Sequence, residues 1–378
     1  MQRRRFMLAL AAGGTLMTIS ACDRMPVSAL EPWQGPSKQV SDSRLRALSW
    51  ALLAPSPHNM QPWIADVRIP GEVSLLPDAQ RMLPATDPFG RQILIGFGAF
   101  LELLRMAAAQ AGDAVAIEPF PDGVPGDGPL DSRRRVARIR WIGEPARQDP
   151  LFGQVQQRRT NRGPYTTTVP TADALARVSA AVQTAGIRTS FAISQEQIGL
   201  LTSIATEACR AEFATPAVAR ENANLIRIGA EEIEREPSGL VIHGPMIWWA
   251  RRLGLLDRDM LAETDAPSMR RVVEQAVASM TATRVWAWQT SADNSRLSQL
   301  AAGRAYLRLC LAATAEGLSE QPCSQALQEY AEMAPYFRRI HEITATPAPQ
   351  RLQMLVRLGY GVAPGPAPRR PLDRVVRI

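Results

Sequence analysis

Apolar positions in the first part of the chain recur with two different periods. Between Arg91 and Gln110 they lie three or four residues apart, which predicts a long helix that ends at Gly112. Trp63–Leu76 instead alternates apolar and polar positions around a Pro-Gly pair, as a β-hairpin does. Val136–Ile142 repeats this strand pattern, and a shorter helix carrying Leu45 and Leu48 precedes the hairpin. Helices and strands are therefore both expected here.

The second part of the chain has mostly the helical period. One strand is predicted at Ile187–Ile193. The predicted helices are Thr171–Ala185, Gln195–Glu236, Ala266–Trp286 and Ser295–Glu316.

A faint internal repeat links the two parts. When Gly98–Gly112 is laid over Gly303–Gly317, both glycines, one leucine and an alanine pair coincide. Two alanine-rich helices of separate origin would match as well, so the repeat suggests a duplicated architecture without establishing it.

The first 22 residues have the anatomy of an export signal. Arg3-Arg4-Arg5 precedes an apolar stretch over residues 6–19, and small residues lead to Cys22. The arginines resemble a twin-arginine signal, and the final residues resemble a bacterial lipoprotein processing site with Cys22 acylated. A general secretory signal is the alternative. Residues 23–39 are rich in proline and glycine and are expected to form a tether.

Composition excludes several classes of function. Three of the seven net positive charges lie in the signal, the chain has a single lysine, and basic residues do not alternate with aromatic ones, so no nucleic-acid partner is expected. Three cysteines remain after Cys22, which allows at most one disulfide. The histidines and cysteines lack the spacing of metal ligands, and no metal site is expected.

The least ordinary segment is Ala54–Trp63, whose three prolines hold it extended. Ser56, Asn59 and Gln61 offer one hydroxyl and two amides, which donate and accept together, as a ligand ring edge with both N–H and carbonyl groups requires. An Asx-type turn is the alternative for Ser56 and Asn59. His58 is expected to stabilise the turn, although a proton-donating role stays open.

Two arginine clusters suit a terminal phosphate. Arg158–Arg162 places guanidinium groups around the hydroxyl of Thr160, and Arg369-Arg370 lies between prolines near the C-terminus. Each cluster alone is as well explained by a solvated surface. The chain has no glycine-rich nucleotide loop, so any phosphate must be held by side chains.

These segments together resemble the FMN-dependent nitroreductase family over nearly the whole body. The resemblance is carried by Ala54–Trp63, Arg158–Arg162, the helix from Gly303 and the segments Leu358–Gly361 and Arg369–Leu372. Ordinary members are homodimers that bind FMN at the subunit interface. Here the arginine run follows the Ser56–Trp63 motif, as if two half-degenerate copies were fused. Asp87–Arg91 and Arg158–Tyr165 resemble the fused branch related to a mycobacterial dormancy-associated flavoprotein.

The resemblance implies a nitroreductase-like α+β fold, with a mixed sheet flanked by helices, arranged as an intramolecular pseudo-dimer. Residues 40–150 would form the first half and residues 151–378 the second. An insert at 237–289, rich in tryptophan and methionine, would be either a lid over the flavin or a helical pair with its own core. A chain that supplies both halves is expected to be a monomer.

The resemblance also implies one FMN per chain and a set of ligands. The cofactor-binding residues it gives are Ser56, Asn59, Gln61, Arg158, Thr160, Arg162, Pro322, Ser324, Arg369 and Arg370. The family's acidic-glycine pair is missing near Pro322, and no general acid or base is named, because flavin N5 accepts the hydride.

Two functions follow as alternatives. The first is a two-electron reduction of a nitro, quinone or similar small acceptor, with NAD(P)H or a membrane or periplasmic reductant as donor. The second is storage or sequestration of FMN behind a lid, without turnover. The N-terminal signal predicts a periplasmic location or a lipid anchor that faces outside the cytoplasm.

Overall fold

The fold is known from a computed structural model that describes residues 23–184 and 186–378, except for the side chain of Ser268. The predicted signal, its arginines and Cys22 lie outside the described residues. The export and lipidation predictions therefore remain predictions.

The described residues form eleven helices and eleven strands, with short 3-10 turns between them. The helices are α1 Ser43–Ala51, α2 Arg91–Gln110, α3 Ala172–Ala181, α4 Gln195–Ala214, α5 Pro216–Leu225, α6 Ala230–Arg235, α7 Pro245–Arg252, α8 Arg258–Ala262, α9 Pro267–Thr281, α10 Arg296–Ala315 and α11 Ala334–Ile343. The strands are β1 Trp63–Asp66, β2 Glu72–Pro77, β3 Asp113–Pro119, β4 Ala137–Pro145, β5 Ile187–Ala192, β6 Ile226–Ile228, β7 Leu240–Ile242, β8 Val285–Ser291, β9 Ser319–Pro322, β10 Arg351–Gly359 and β11 Val376–Arg377.

The strands form two main sheets, and the α+β class is confirmed. The first sheet has the order β11-β1-β2-β4-β3. It is mixed, because β11 runs parallel to β1, whereas the other neighbouring strands in the sheet pair antiparallel. The second has the order β5-β8-β10-β9 and is antiparallel. Strands β6 and β7 form a small parallel pair.

Helices α2 and α10 pack against each other at the centre, between the two sheets. Each has 20 residues, and their first residues, Arg91 and Arg296, are separated by the same offset as the repeat seen in the sequence. Helix α2 is long and apolar enough to cross a membrane by composition, but nearly all of it is buried in the protein core.

The C-terminal segment returns to the first sheet. Ala65 of β1 pairs with Val376 of β11, so the end of the chain completes a sheet otherwise built from the first 150 residues. This return also brings the Arg369-Arg370 pair beside the Ala54–Trp63 segment.

The predicted tether at residues 23–39 is corrected by the structure. Residues Ser28–Gln34 form a 3-10 helix in which Ala29 and Trp33 are buried. The Trp33 indole N–H donates to the Ala367 carbonyl at 2.7 Å, and the Arg369 amide donates to the Ala29 carbonyl. The prolines that suggested a tether here shape a packed turn instead.

Two helix predictions in the second part were wrong in extent. The helix expected over Gln195–Glu236 is broken before Pro216, which has no backbone N–H to donate, and again around Gly229. The helix expected to reach Trp286 ends at Thr281, and Val285–Ser291 is a central strand buried on both faces. Such a strand lacks the period-two alternation, so periodicity cannot separate it from a buried helix. The C-terminal part of the predicted insert at 237–289 is therefore sheet core.

Candidate functional site

A cavity of about 490 Å³ lies where the two parts of the chain meet. Its walls come from the turn after α1, the Arg158–Arg162 run, the end of β9, helices α4, α5 and α9, and the loop before Arg369. One side is polar and cationic and the other is apolar. This combination suits a ligand that has both an anionic group and a flat apolar part.

Arg158 and Arg369 are the central cations of the polar side, and both are almost completely buried. Arg158 Nη1 has no hydrogen-bond partner, although Glu320 Oε1 lies 3.5 Å away. Arg369 donates to Asn59 Oδ1 at 2.6 Å, while its Nε has no partner. Buried donors are normally satisfied, so these two atoms are available to an anionic ligand in the cavity.

Burial and mutual repulsion act on the same arginines. The pKa of Arg369 is held well below its usual range by burial and by the charges of Arg158 and Arg159. Burial also lowers the pKa of Arg159, again helped by Arg158. An anion bound among these guanidinium groups would relieve the repulsion.

Arg162 faces the same cavity from the end of the run. Its side chain has accessible surface, yet burial among protein atoms lowers its pKa, as expected of a group that points into a cavity rather than into bulk solvent. It also lowers the pKa of His58 to about 4, after the larger effect of burial. His58 is therefore neutral near pH 7.

Thr160 is held by the buried carboxyl of Glu320. Its hydroxyl donates to Glu320 Oε1 at 3.2 Å, and the Tyr306 hydroxyl donates to Glu320 Oε2 at 3.1 Å. Burial raises the pKa of Glu320, and the charge of Arg158 opposes that shift. Glu320 thus anchors the Arg158–Arg162 run to β9 at the base of the cationic side.

Trp33 was not expected to belong to the site. The Arg159 guanidinium lies 4.3 Å from its ring centroid and that of Arg369 lies at 5.2 Å, so one aromatic ring contacts two of the cations. No sequence signal points to this role, because Trp33 stands in a proline-rich segment that lacks helical or strand periodicity.

The Ala54–Trp63 motif makes a strained turn. His58, Asn59 and Gln61 have φ angles of 47°, 55° and 50°, in the left-handed region that non-glycine residues rarely adopt. The Ser56 hydroxyl accepts from the Gln61 amide at 3.0 Å and closes the turn. Such strain persists only where surrounding contacts fix it and is concentrated at functional sites.

Asn59 connects three separated parts of the chain. Its amide nitrogen donates to the carbonyls of Gly239 and Pro368, and its side-chain oxygen accepts from Arg369. Asn59 lines the cavity, but these contacts occupy its polar atoms. Its observed contribution is to fix the direction of the Arg369 guanidinium.

Gln61 and Arg370 do not line the cavity. Gln61 is fully buried, donates to the Pro237 carbonyl at 3.0 Å and accepts from the Arg370 amide at 2.8 Å. Arg370 donates to the carbonyls of Gln61 and Arg374. The other eight predicted residues line the cavity, namely Ser56, Asn59, Arg158, Thr160, Arg162, Pro322, Ser324 and Arg369.

Arg357 supports the site from behind and was missed by the sequence analysis. It is fully buried and donates to Gln321 Oε1 at 2.6 Å and to the carbonyls of Asn161 and Gly163. It thereby joins the arginine run to the Gln321–Pro322 wall. A charged residue inside the apolar run of β10 was the available signal.

The opposite side of the cavity is mostly apolar. Its side chains come from α5, β7, α8 and α9, namely Ala219, Ala223, Leu240, Ile242, Leu261, Met269, Val272, Ala276 and Met280. Glu212 and Asn222 add a polar patch, in which burial raises the pKa of Glu212 and Asn222 Oδ1 has no hydrogen-bond partner. Segment 237–281 therefore contributes much of this wall.

The cysteines of the described residues are buried, and these residues show no cluster of metal-ligating side chains. Cys209, Cys310 and Cys323 are free and buried, and burial raises the pKa of both Cys209 and Cys323 to about 12. Within residues 23–184 and 186–378, no group of His, Cys, Asp and Glu side chains is arranged to hold a metal ion.

Comparison with known proteins gives short but clear sequence matches. No family model matches the chain. Over 78 residues it is 45% identical to the "Putative NAD(P)H nitroreductase acg" of Mycobacterium tuberculosis, a match that covers 20% of this chain and 23% of that relative. An uncharacterized protein of the same organism is 41% identical over 78 residues, with the same coverage. The match thus spans less than a quarter of each curated relative.

Among solved structures, the chain has low overall similarity to several nitroreductases and to an iodotyrosine deiodinase. A nitroreductase with bound FMN from Desulfitobacterium hafniense is 12% identical, with a TM-score of 0.38, over 61% of this chain and 100% of that one. The FMN-dependent nitroreductase NfnB of Mycobacterium smegmatis, in complex with NADPH, is 14% identical, with a TM-score of 0.37, over 60% and 97%. In sequence, this chain is similar over a short stretch to a protein named for nitroreductase activity.

Proposed function

We propose that the cavity binds FMN and that the chain is an FMN-dependent oxidoreductase of the nitroreductase type. The observation that carries the proposal is the pair of buried arginines, Arg158 and Arg369, whose unpaired donors lie in one cavity with an apolar wall. The 78-residue similarity to a protein named as an NAD(P)H nitroreductase supports the same reading.

The residues present fit the cofactor. Arg158, Arg159 and Arg369 would hold the phosphate, since a bound anion would offset the burial and mutual repulsion that lower the pKa values of Arg159 and Arg369. Arg162 and the Thr160 hydroxyl would hold the polar chain that joins phosphate to ring. Ser56, Pro322 and Ser324 line the remaining polar wall, where a ring edge would be contacted.

Asn59 and Gln61 act on the cofactor through their neighbours. Asn59 directs the Arg369 guanidinium, and Gln61 fixes the Arg370 backbone beside it. Arg370 would then be a positioning residue, with Arg369 as the phosphate ligand. The strained turn holds both amides where the C-terminal segment passes.

When bound, FMN supplies reversible two-electron chemistry at N5. The chain's own part is to bind and orient the cofactor and the acceptor and to exclude water from the cavity. The apolar side chains of α9, including Met269, Val272 and Met280, would pack against a nitroaromatic, quinone or similar acceptor. His58, neutral near pH 7, and Glu212, whose pKa is raised by burial, both line this cavity.

We further propose that the two parts of the chain are related halves of one intramolecular pseudo-dimer. The proposal is supported by helices α2 and α10, which pack against each other at the centre, and by the cavity at the junction of the two parts. The protein would then need no second copy to complete its site and would be a monomer. Its location outside the cytoplasm, by an export signal and a lipid on Cys22, is proposed from the sequence of residues 1–22 alone.

Storage of FMN is the second candidate. It is favoured by the large contribution of segment 237–281 to the cavity wall, because a wall of this kind restricts access of a donor or an acceptor to the ring.

Anaerobic reduction of the FMN-loaded protein separates the two functions. The oxidoreductase proposal predicts reduction by NADPH, or by dithionite where another donor serves, followed by reoxidation with a nitroaromatic or a quinone faster than free FMN allows. A variant with Arg158→Ala and Arg369→Ala, given the same FMN, is the control for chemistry in solution. Flavin that binds but exchanges electrons with none of these reagents would establish storage and refute the enzyme.

A further inference from the structure

Helix α7 exposes large apolar side chains that the rest of the fold does not cover. It contains no buried residue. Met246 is 83% exposed, Trp249 51%, Leu253 49% and Leu255 63%. We call Met246, Trp249, Arg252, Leu253 and Leu255 the α7 patch. A contiguous group of this kind on a soluble protein marks an interaction surface.

The charged side chains within the segment that carries the α7 patch are basic. Residues 237–256 include Arg251 and Arg252 and contain no aspartate or glutamate. Arg251 is held by the Ile228 carbonyl and by Glu232, whereas Arg252 is exposed and lies 5.0 Å from the Trp248 ring centroid. Tryptophan, methionine and leucine beside arginine on a short exposed helix are typical of elements that lie in a membrane interface.

The start of the described chain is fixed beside the patch. Asp23 Oδ2 accepts from the Gly244 amide at 2.8 Å, immediately before α7, and its other oxygen accepts from the Ala230 amide before α6. The described part of the chain therefore begins next to the α7 patch. A membrane attachment through residues 1–22 would bring this face of the protein to the lipid surface.

We propose that the α7 patch rests on an anionic phospholipid surface. Met246, Trp249, Leu253 and Leu255 would enter the region between headgroups and acyl chains, and Arg252 would contact lipid phosphates. The proposal depends on the exposure of the apolar side chains of the patch, on the positive charge of Arg252 and on the position of Asp23 beside α7. It does not depend on FMN binding.

The test places an environment-sensitive nitrobenzoxadiazole label on the full chain. Cys22→Ala leaves the buried Cys209, Cys310 and Cys323 as the native thiols. Met246→Cys then accepts the label on the patch, and Val124→Cys, an exposed site on the β3–β4 loop, is the matched control. Both proteins are mixed with vesicles of phosphatidylcholine, with or without phosphatidylglycerol, and with brominated lipids as quenchers.

Docking predicts a blue shift and at least about a twofold rise in emission at position 246 on anionic vesicles, quenched by the brominated lipids, with no change at position 124. With Arg252→Gln added, the concentration of anionic lipid that gives half of the emission change at position 246 should rise about fivefold. Equal responses at the two positions, or none at 246, would overturn the proposal. A blue shift at 246 without vesicles would also overturn it, because residues 1–22 or a second copy would then cover the patch.

Discussion

Gly98 and Gly303 meet where the two central helices cross, and neither position has room for a Cβ atom. A Cβ on Gly98 would lie 2.0 Å from the Leu300 carbonyl oxygen, and one on Gly303 would lie 1.9 Å from the Ile95 carbonyl oxygen. Both obstacles are backbone atoms, so no side-chain rotation could make room for an added Cβ atom. The paired glycines set the distance between the two parts of the chain.

The first residues of these two helices also make reciprocal contacts between the two parts of the chain. Arg91, the first residue of α2, donates to the carbonyls of Leu327 and Gln353 in the second part. Arg296, the first residue of α10, donates to the carbonyls of Phe89, Gly126 and Gly128 in the first. Each part of the chain thus donates, from the first residue of a central helix, to carbonyls of the other part.

Adding one methyl group at the helix crossing should destabilise the protein strongly. We expect Gly98→Ala or Gly303→Ala to lower the free energy of unfolding by at least about 3 kcal/mol, because the helices must separate. Chemical denaturation measures the change. Gly199→Ala is the control, since Gly199 lies exposed within α4 with open space around its Cα and should gain up to about 1 kcal/mol. Equal effects at positions 98 and 199 would contradict the crossing geometry.

Loss of either reciprocal arginine should weaken the junction of the two parts. Arg296→Met removes the donors to three carbonyls, and Arg91→Met also leaves Glu329 without that partner. We expect each change to cost about 3–5 kcal/mol of unfolding free energy, whereas Arg133→Met on the exposed loop should cost less than about 1 kcal/mol. Losses below 1 kcal/mol at both junction positions would show that the contacts are dispensable.

Arg158 and Arg369 should control FMN affinity. Replacing either by methionine removes a charged donor from the cationic side of the cavity, and we expect the Kd for FMN to rise about 10- to 100-fold. Titration followed by quenching of flavin fluorescence measures the constant, and circular dichroism checks that the fold is kept. Arg374→Met, an arginine of the same C-terminal segment outside the cavity, should leave Kd unchanged. An unchanged Kd in both cavity variants would place the phosphate elsewhere.

His58 should make the protein less stable in acid. Its folded-state pKa, lowered to about 4 by burial and Arg162, lies below the unfolded value of 6.5. Between these values the unfolded chain binds more protons, so stability falls as pH decreases, by up to about 3 kcal/mol. His58→Asn, which tolerates the left-handed conformation, should flatten the dependence of Tm on pH between 6.5 and 4. His243→Asn, at an exposed position, is the control for the substitution itself, and an unchanged slope in His58→Asn would refute the assignment.

Much of the framework could be predicted from periodicity. Helix α2 begins and ends where its apolar positions indicate, and the β1–β2 hairpin turns at Pro70-Gly71. Strand β8 could not be recognised, because all seven of its residues are buried and the alternation that identifies a strand is absent. The repeat was visible at the glycines, and extending it upstream would have paired Arg91 with Arg296.

The candidate site was predictable in its residue types and less so in its contacts. Serine, asparagine and arginine clusters indicated where polar groups are concentrated, and eight of the ten named residues line one cavity. Which arginine faces inward depends on the path of the C-terminal segment, so Arg369 could not be distinguished from Arg370 in sequence. Trp33 and Arg357 join the site through tertiary contacts that leave no local pattern.

Native mass spectrometry of the FMN-loaded protein tests the central claim most directly, because it counts chains and cofactors together. Two related halves in one chain, with a single cationic cavity, predict a monomer that carries one FMN. The ion should lose its FMN when Arg158 and Arg369 are both replaced by alanine. A dimer, two FMN per chain, or a folded chain that holds none after reconstitution would contradict the account.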